Sequence, residues 1–404
     1  MNTILKIYYI ILFYFIFGKL FFPMHAIVID ILVIGFIFLS AYTEKFRLNI
    51  PRKEGRFFLL VIAIPAAIML VYSLVMQSMY ALSSDYFVRS ITMCVRLVLY
   101  GFFAMRSVYV FGDKSVDVLL HASVVAYLPS IFLFFLETGV IAGVISLFSD
   151  NVYHESVALE VHRLTYVFGF ITVYFFYQKL VKNKPVLPQA IVSLIFTFLG
   201  LKRIVLFALV VAILLMIIFR YQQNKTIYRI ILVISCVMIF VALLYVFLIR
   251  YGYLQNLFEV LGLRDSFRFK FWNYFASRYD VSLTFFGYGL SYAQRTMANE
   301  WFNIDGLGAV TNIHNDILSY YLGLGFVGFI LFWGMFFIGQ SSIIRRYFSV
   351  ESAGFAFVIS IFYFVIMSTC NEGLPGFIYG FYLMVIFADF FDEKTKNEQV
   401  VYNE

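Results

Sequence analysis

Charged side chains are scarce in this 404-residue chain: Asp, Glu, Lys and Arg make up 13%, while hydrophobic residues reach 63%. A soluble domain is about a quarter charged and about half apolar. The shortage of charge therefore excludes a soluble enzyme of this length, which could not hide so much apolar surface. Cysteine is sparse too: Cys94, Cys236 and Cys370 lie far apart inside apolar runs, a spacing that offers neither a disulfide framework nor a zinc site. No internal repeat of convincing period, low-complexity module or Asp-x-Asp-like acidic motif in the outer loops is evident, so neither cofactor nor metal is expected. The first apolar run, "ILKIYYIILFYFIFGKLFF", lacks a small-residue cleavage site and is followed at once by another, which reads as a retained helix. The formal charge of +7 does not imply nucleic acid, because in a membrane chain the placement of Lys and Arg matters more than their sum.

What the sequence has in abundance is apolar runs long enough to cross a bilayer, for which about 20 residues of helix suffice. Windows near 4–22, 26–42, 57–79, 89–110, 117–137, 164–180, 186–200, 203–219, 229–249, 316–338, 353–370 and 374–391 predict an all-α polytopic membrane domain over 1–404 with about twelve transmembrane helices. With a cytoplasmic N-terminus, the basic clusters "EKFRLNIPRKEGR", "KLVKNK", "RYQQNKTIYR" and "IIRRYF" all fall on the cytoplasmic side, and so does the C-terminal tail. Two outer segments remain, 138–163 and the larger 250–315. The larger carries Arg250, Arg264, Arg268, Lys270, Arg278 and Arg295. Long loops cross despite their charge, so tolerated decoration is one reading and an anion site the other.

The stretch "TNIHNDILSYYLGLGFVGFILF" sets a His-Asn-Asp cluster at the mouth of an apolar helix. At 100° per residue His314, Leu318, Tyr321, Gly325 and Gly328 share one stripe, with the glycines placed for close approach of a neighbouring helix. A lone interfacial His is more often a bystander than a catalyst. Other stretches stand in order before it: "GLKRIVLFALVVAIL", with Lys202 and Arg203 at a helix start; "RFKFWNYFASRY", with Arg268 and Trp272; and "FFGYGLS", with Gly287 and Gly289.

Taken together, these motifs resemble the bacterial O-antigen polymerase and O-antigen ligase superfamily over roughly residues 160–340. The family turn often reads Ser-Arg where this chain has Lys202-Arg203. The resemblance implies a glycosyltransferase of the bacterial inner membrane that acts, without metal, on undecaprenyl-diphosphate-linked oligosaccharides as donor and acceptor. Its other partners would be membrane lipids and a chain-length regulator. A diphosphate leaving group needs its growing charge stabilised, and arginine binds phosphate oxygens bidentately while staying charged. Arg203 and Arg268 are the expected diphosphate ligands, with Lys202, Arg264 and Arg163 as further contacts; snorkelling accounts for Arg163 equally well. His314 is the expected base, with Asn315 and Asp316 to orient it or the acceptor, although a favourable charge at a helix N-terminus explains Asp316 at least as well. Tyr274, Tyr279, Tyr288, Tyr292 and Trp301 are candidate sugar-stacking rings, a weak signal in a chain with 21% aromatics. Glu372 in the last outer turn either faces the same cavity or, the favoured reading, is a solvated acid of a turn with Gly and Pro. Polymerase is the first reading and ligase the second; a flippase for the same lipids is the rival from another class.

Overall fold

The structure, a computed structural model, describes residues 2–17, 26–45, 50–146, 162–200, 202–262, 268–299, 302–304, 308–310, 313–368 and 376–403. Every apolar window overlaps a helix: α1 (Asn2–Phe17), α2 (Ala26–Thr43), α3 (Arg52–Met79), α4 (Ser84–Phe111), α5 (Ser115–Thr138), α7 (His162–Leu180), α8 (Leu187–Leu199), α9 (Arg203–Arg220), α10 (Asn224–Arg250), α14 (Asp316–Tyr347), α15 (Val350–Met367) and α16 (Phe377–Asn403). A short α6 (Val140–Ser146) follows α5. Among the described residues, six helical runs are long and apolar enough to cross a membrane, one of them holding α4 and α5 together, and shorter apolar helices lie at Thr3–Phe17, Ile27–Thr43 and Leu187–Leu199. The chain is a multi-pass helical membrane protein.

Burial sorts the helices. α15 is apolar all round and 83% of its membrane window is buried, as befits the centre of a bundle, whereas α3 and α10 bury 22% each and turn the rest outward. The segment 250–315 is not a plain loop. It folds into α11 (Tyr253–Val260), α12 (Arg268–Ala276), α13 (Tyr292–Asn299) and an antiparallel hairpin of β1 (Phe302–Ile304) and β2 (Gly308–Val310), a small departure from an all-helical chain.

The basic clusters gather at one end of the bundle. Lys182 and Lys184 pair with Asp389 and Asp392 at 2.5 and 3.0 Å, Arg345 lies over the Tyr228 ring at 4.0 Å, and Arg56 over Tyr347 at 5.7 Å. The termini of α9, α10 and α14 remote from those contacts, together with α11 to α13, form the opposite, loop end.

At the loop end α14 is broken. Gly325 has φ +67 and ψ −173, a region essentially confined to glycine, so the helix interrupts its own hydrogen bonding there. The neighbour that uses this break is the Gly-x-Gly turn, where the stripe argument anticipates a helix. Tyr288 and Gly289 donate their N–H groups to the Leu322 and Gly323 carbonyls at 2.8 and 2.9 Å, and Phe326 N–H reaches the Phe285 carbonyl at 2.8 Å. Tyr72 of α3 donates its hydroxyl to the Phe286 and Leu324 carbonyls from the other side. The backbones touch: a Cβ on Gly325 would lie 2.2 Å from Phe286 C, and one on Gly287, itself at φ +81, 2.4 Å from Gly325 N. Gly328 plays no such part, since its nearest foreign atom is Leu324 Cβ of the same helix at 3.1 Å.

Gly325→Ala and Gly287→Ala should therefore each cost at least about 1–3 kcal/mol from the dihedral alone, before any overlap is relieved. Melting followed by size exclusion in detergent should show a clear drop for both and none for Gly328→Ala. Parent-like melting of Gly325→Ala would mean that the break is not required.

Candidate active site

Between the hairpin and α14 the chain turns a corner on His314, whose φ of +52 is uncommon outside glycine and persists only where its surroundings impose it. Both flanks are fixed. Upstream, the buried Trp272 donates its indole N–H to the Ile313 carbonyl at 3.0 Å. Downstream, Asn315 is fully buried and caps α14: its Oδ1 accepts from Leu318 N–H at 3.0 Å, and its Nδ2 donates to the Tyr245 hydroxyl at 3.1 Å. The Tyr245 hydroxyl donates in turn to the Ser368 carbonyl at 2.9 Å, and its ring meets Trp272 edge-on with centroids 6.2 Å apart. Asp316 opens α14 and is also buried, while His314 between these anchors is exposed. An N-cap that is also bonded sideways lets the helix end hold the imidazole in place.

Two cations from distant parts of the chain act on that imidazole. Desolvation by the protein beneath the outward-facing His314 side chain lowers its pKa from the ordinary value, and the charges of Arg268 and Lys202 lower it further. Arg268 is the first residue of α12 and Trp272 the fifth, so a spacing of four puts both on one helix face: Trp272 clasps the backbone before His314, and the Arg268 charge acts on the imidazole. Lys202 takes the N-cap position of α9, and Arg203 follows, exposed, as the first helical residue. The site is thus an imidazole whose protonation is disfavoured by desolvation and by two positive charges, an arrangement able to accept a proton while an anion is held near it.

The electrostatics have a testable sign. Arg268→Gln removes a like charge from the imidazolium and should raise the His314 pKa; Lys202→Gln should do the same. With His314 as the sole remaining histidine of five, the pH dependence of carbethoxylation gives its midpoint. The parent midpoint should lie below the usual value of about 6.5 and move up in both variants. An unmoved midpoint would separate Arg268 from His314.

The structure thus brings His314, Asn315, Arg268 and Lys202 together, with Trp272 holding the corner. The Lys-for-Ser departure in the α9 turn matters here, because Lys202 is the residue of that turn whose charge reaches His314. Arg264, Trp301 and Glu372 lie outside the described residues, as does the side chain of Arg163 in the first turn of α7. Tyr279 is no sugar platform: it is buried, its hydroxyl donates to the Val246 carbonyl at 2.9 Å, and its ring packs on Tyr321. Tyr245 is the residue that sequence reasoning misses. Nothing marks it in a chain that is 21% aromatic. Among the described residues no group of three or more His, Cys, Asp or Glu could hold a metal ion.

Residues 189–333 match the family model described as O-antigen ligase. That match supports the resemblance to the O-antigen polymerase and ligase superfamily. No curated protein and no solved structure matches the chain. The O-antigen ligase span takes in Lys202, Arg203, Arg268, Trp272, Gly287, Gly289, His314, Gly325 and Gly328, whereas Arg163 precedes it. Every residue that acts on the imidazole or holds its corner, from Lys202 to Asn315, therefore lies within the matched span, apart from the Ser368 carbonyl behind Tyr245.

Proposed function

We propose that this O-antigen ligase family protein is a surface-polysaccharide polymerase of the bacterial inner membrane, joining undecaprenyl-diphosphate-linked repeats at its loop end. The observation that carries the reading is the convergence of His314 with Arg268 and Lys202. In the reaction, the acceptor sugar hydroxyl gives its proton to neutral His314 as its oxygen bonds to the donor's anomeric carbon. The bond from that carbon to the diphosphate oxygen breaks, and its electron pair leaves on the diphosphate. Arg268 and Lys202 hold that developing charge, with Arg203 beside them, and no divalent cation is needed for it. The depressed pKa of His314 then favours release of the proton to water. Both termini and the basic end are cytoplasmic in this reading, since clusters of Lys and Arg resist translocation; the loop end faces the periplasm.

Transfer of a finished glycan to a lipid A core is the second reading, favoured by the description of the matched family. The glycan profile of a deletion strain separates the two. Surface lipid carrying single repeats marks a polymerase, and free lipid-linked polymer marks a ligase.

A further inference from the structure

On the α2 side of the loop end, away from His314, α4 carries Arg89 and Arg96, seven residues apart, hence on one face and separated by about 10.5 Å along the axis. Arg96 is neutralised by Asp30 of α2, whose Oδ2 accepts from its Nε and Nη2 at 3.0 and 2.7 Å. Arg295 of α13 meets Asp85 at 2.5 Å. Arg89 stands between these pairs. Among the described residues it has no carboxylate within 4.0 Å, and its Nε and Nη2 donate at 3.3 and 3.2 Å to the neutral side-chain oxygen of Gln294. The charges of Arg96 and Arg295 both repel it. The group holds three cations and two acids.

Its surroundings say where a counter-charge would come from. Val88, Ile91 and Val95 run down the adjoining strip of α4 at 62, 43 and 56% exposure, and Ile27 and Ile31 of α2 at 68 and 60%. These apolar residues face lipid. Snorkelling would carry the guanidinium out to water, yet Arg89 is half-buried and bonded down onto α13. A surplus cation kept at the edge of a bilayer is costly unless an anion reaches it, and here the open approach is lateral.

We infer that Arg89, with Arg96 and Arg295 behind it, forms a second anion site, which takes the diphosphate of the acceptor lipid while Arg268 and Lys202 take that of the donor. The inference rests on the polymerase reading, in which both substrates are lipid diphosphates. Of the three guanidiniums only Arg89 has no carboxylate partner among the described residues, so the group offers one unmatched charge, and competition by phosphatidylglycerol separates a diphosphate from the single phosphate of a bilayer lipid.

The test counts polyprenyl diphosphate bound per protein in nanodiscs, by native mass spectrometry, for the parent, Arg89→Gln and Arg268→Gln. The parent should hold two and each variant one, with affinity at the altered site down about 10- to 150-fold, the loss expected for a charged hydrogen bond. Arg89→Gln should melt no lower than the parent in lipid-free detergent, because it relieves repulsion. A parent that holds one lipid, kept by Arg89→Gln and lost by Arg268→Gln, overturns the inference and leaves the polymerase reading standing. So does displacement of the second lipid by phosphatidylglycerol at equal concentration. Retention of two lipids by Arg89→Gln together with a lowered melting temperature makes Arg89 structural and overturns it as well. A parent that holds none removes the inference and the reading together.

Discussion

His314→Gln should be made, inserted and folded as the parent is, and should extend no glycan chains. Removing a general base costs about a hundredfold to ten-thousandfold in rate, whereas loss of an exposed polar side chain costs about half a kcal/mol or less in stability. The amide can still hydrogen-bond but cannot take up a proton. Because His314 sits at φ +52, the backbone could relax in the variant and mimic a chemical loss. His314→Asn controls for this, since asparagine accepts the left-handed region more readily than most residues. Both variants should melt as the parent does and fail alike. Normal chain extension by either would reduce His314 to a spacer, and the base would be sought in Asp316 or Glu372.

Arg268→Lys should lose most of the activity despite keeping its charge. A guanidinium binds two phosphate oxygens in one plane and an ammonium does not, so about 10- to 150-fold in rate is at stake if one charged hydrogen bond is lost in the transition state. The His314 midpoint should stay near that of the parent in this variant, because the positive charge remains. That combination, a depressed rate with an unmoved imidazole, distinguishes phosphate geometry from electrostatic tuning. In the α9 turn, Lys202→Gln should cost more than Arg203→Gln, since Lys202 acts on His314 and Arg203 is exposed. Rates within about twofold for Arg268→Lys would make Arg268 a structural residue only; a geometric role predicts about tenfold or more.

The helices are legible in the sequence because a bilayer asks for one thing, about 20 apolar residues in a row, and the chain supplies it repeatedly. The motif order singles out Arg268, Arg203 and His314, with Lys202 only as a departure from the family turn, yet it is the Lys202 charge that acts on His314, and no periodicity connects positions 202, 268 and 314. Gly325 shows the limit of pattern reading. A glycine in an apolar helix reads as a small residue for close packing, and its positive φ, which opens the helix to the Gly287–Gly289 turn, leaves no trace in composition. The segments that fold as α11 to α13 read as loop, because short helices in a polar segment carry no membrane-length run. The pairing of Asp30 with Arg96 escapes notice for the opposite reason: each is a single charge inside a long apolar run, and the run alone decides how the stretch reads.

The central claim is that the loop end breaks a sugar–diphosphate bond for each sugar–sugar bond it makes. Purified protein in liposomes, supplied with a lipid-linked repeat on the loop-end side alone, tests it most directly: released polyprenyl diphosphate is counted against glycosidic bonds formed. The parent should release one per bond and build chains, and His314→Gln should do neither. Movement of intact lipid-linked repeat across the bilayer, with no diphosphate released, would contradict the account and mark a transporter.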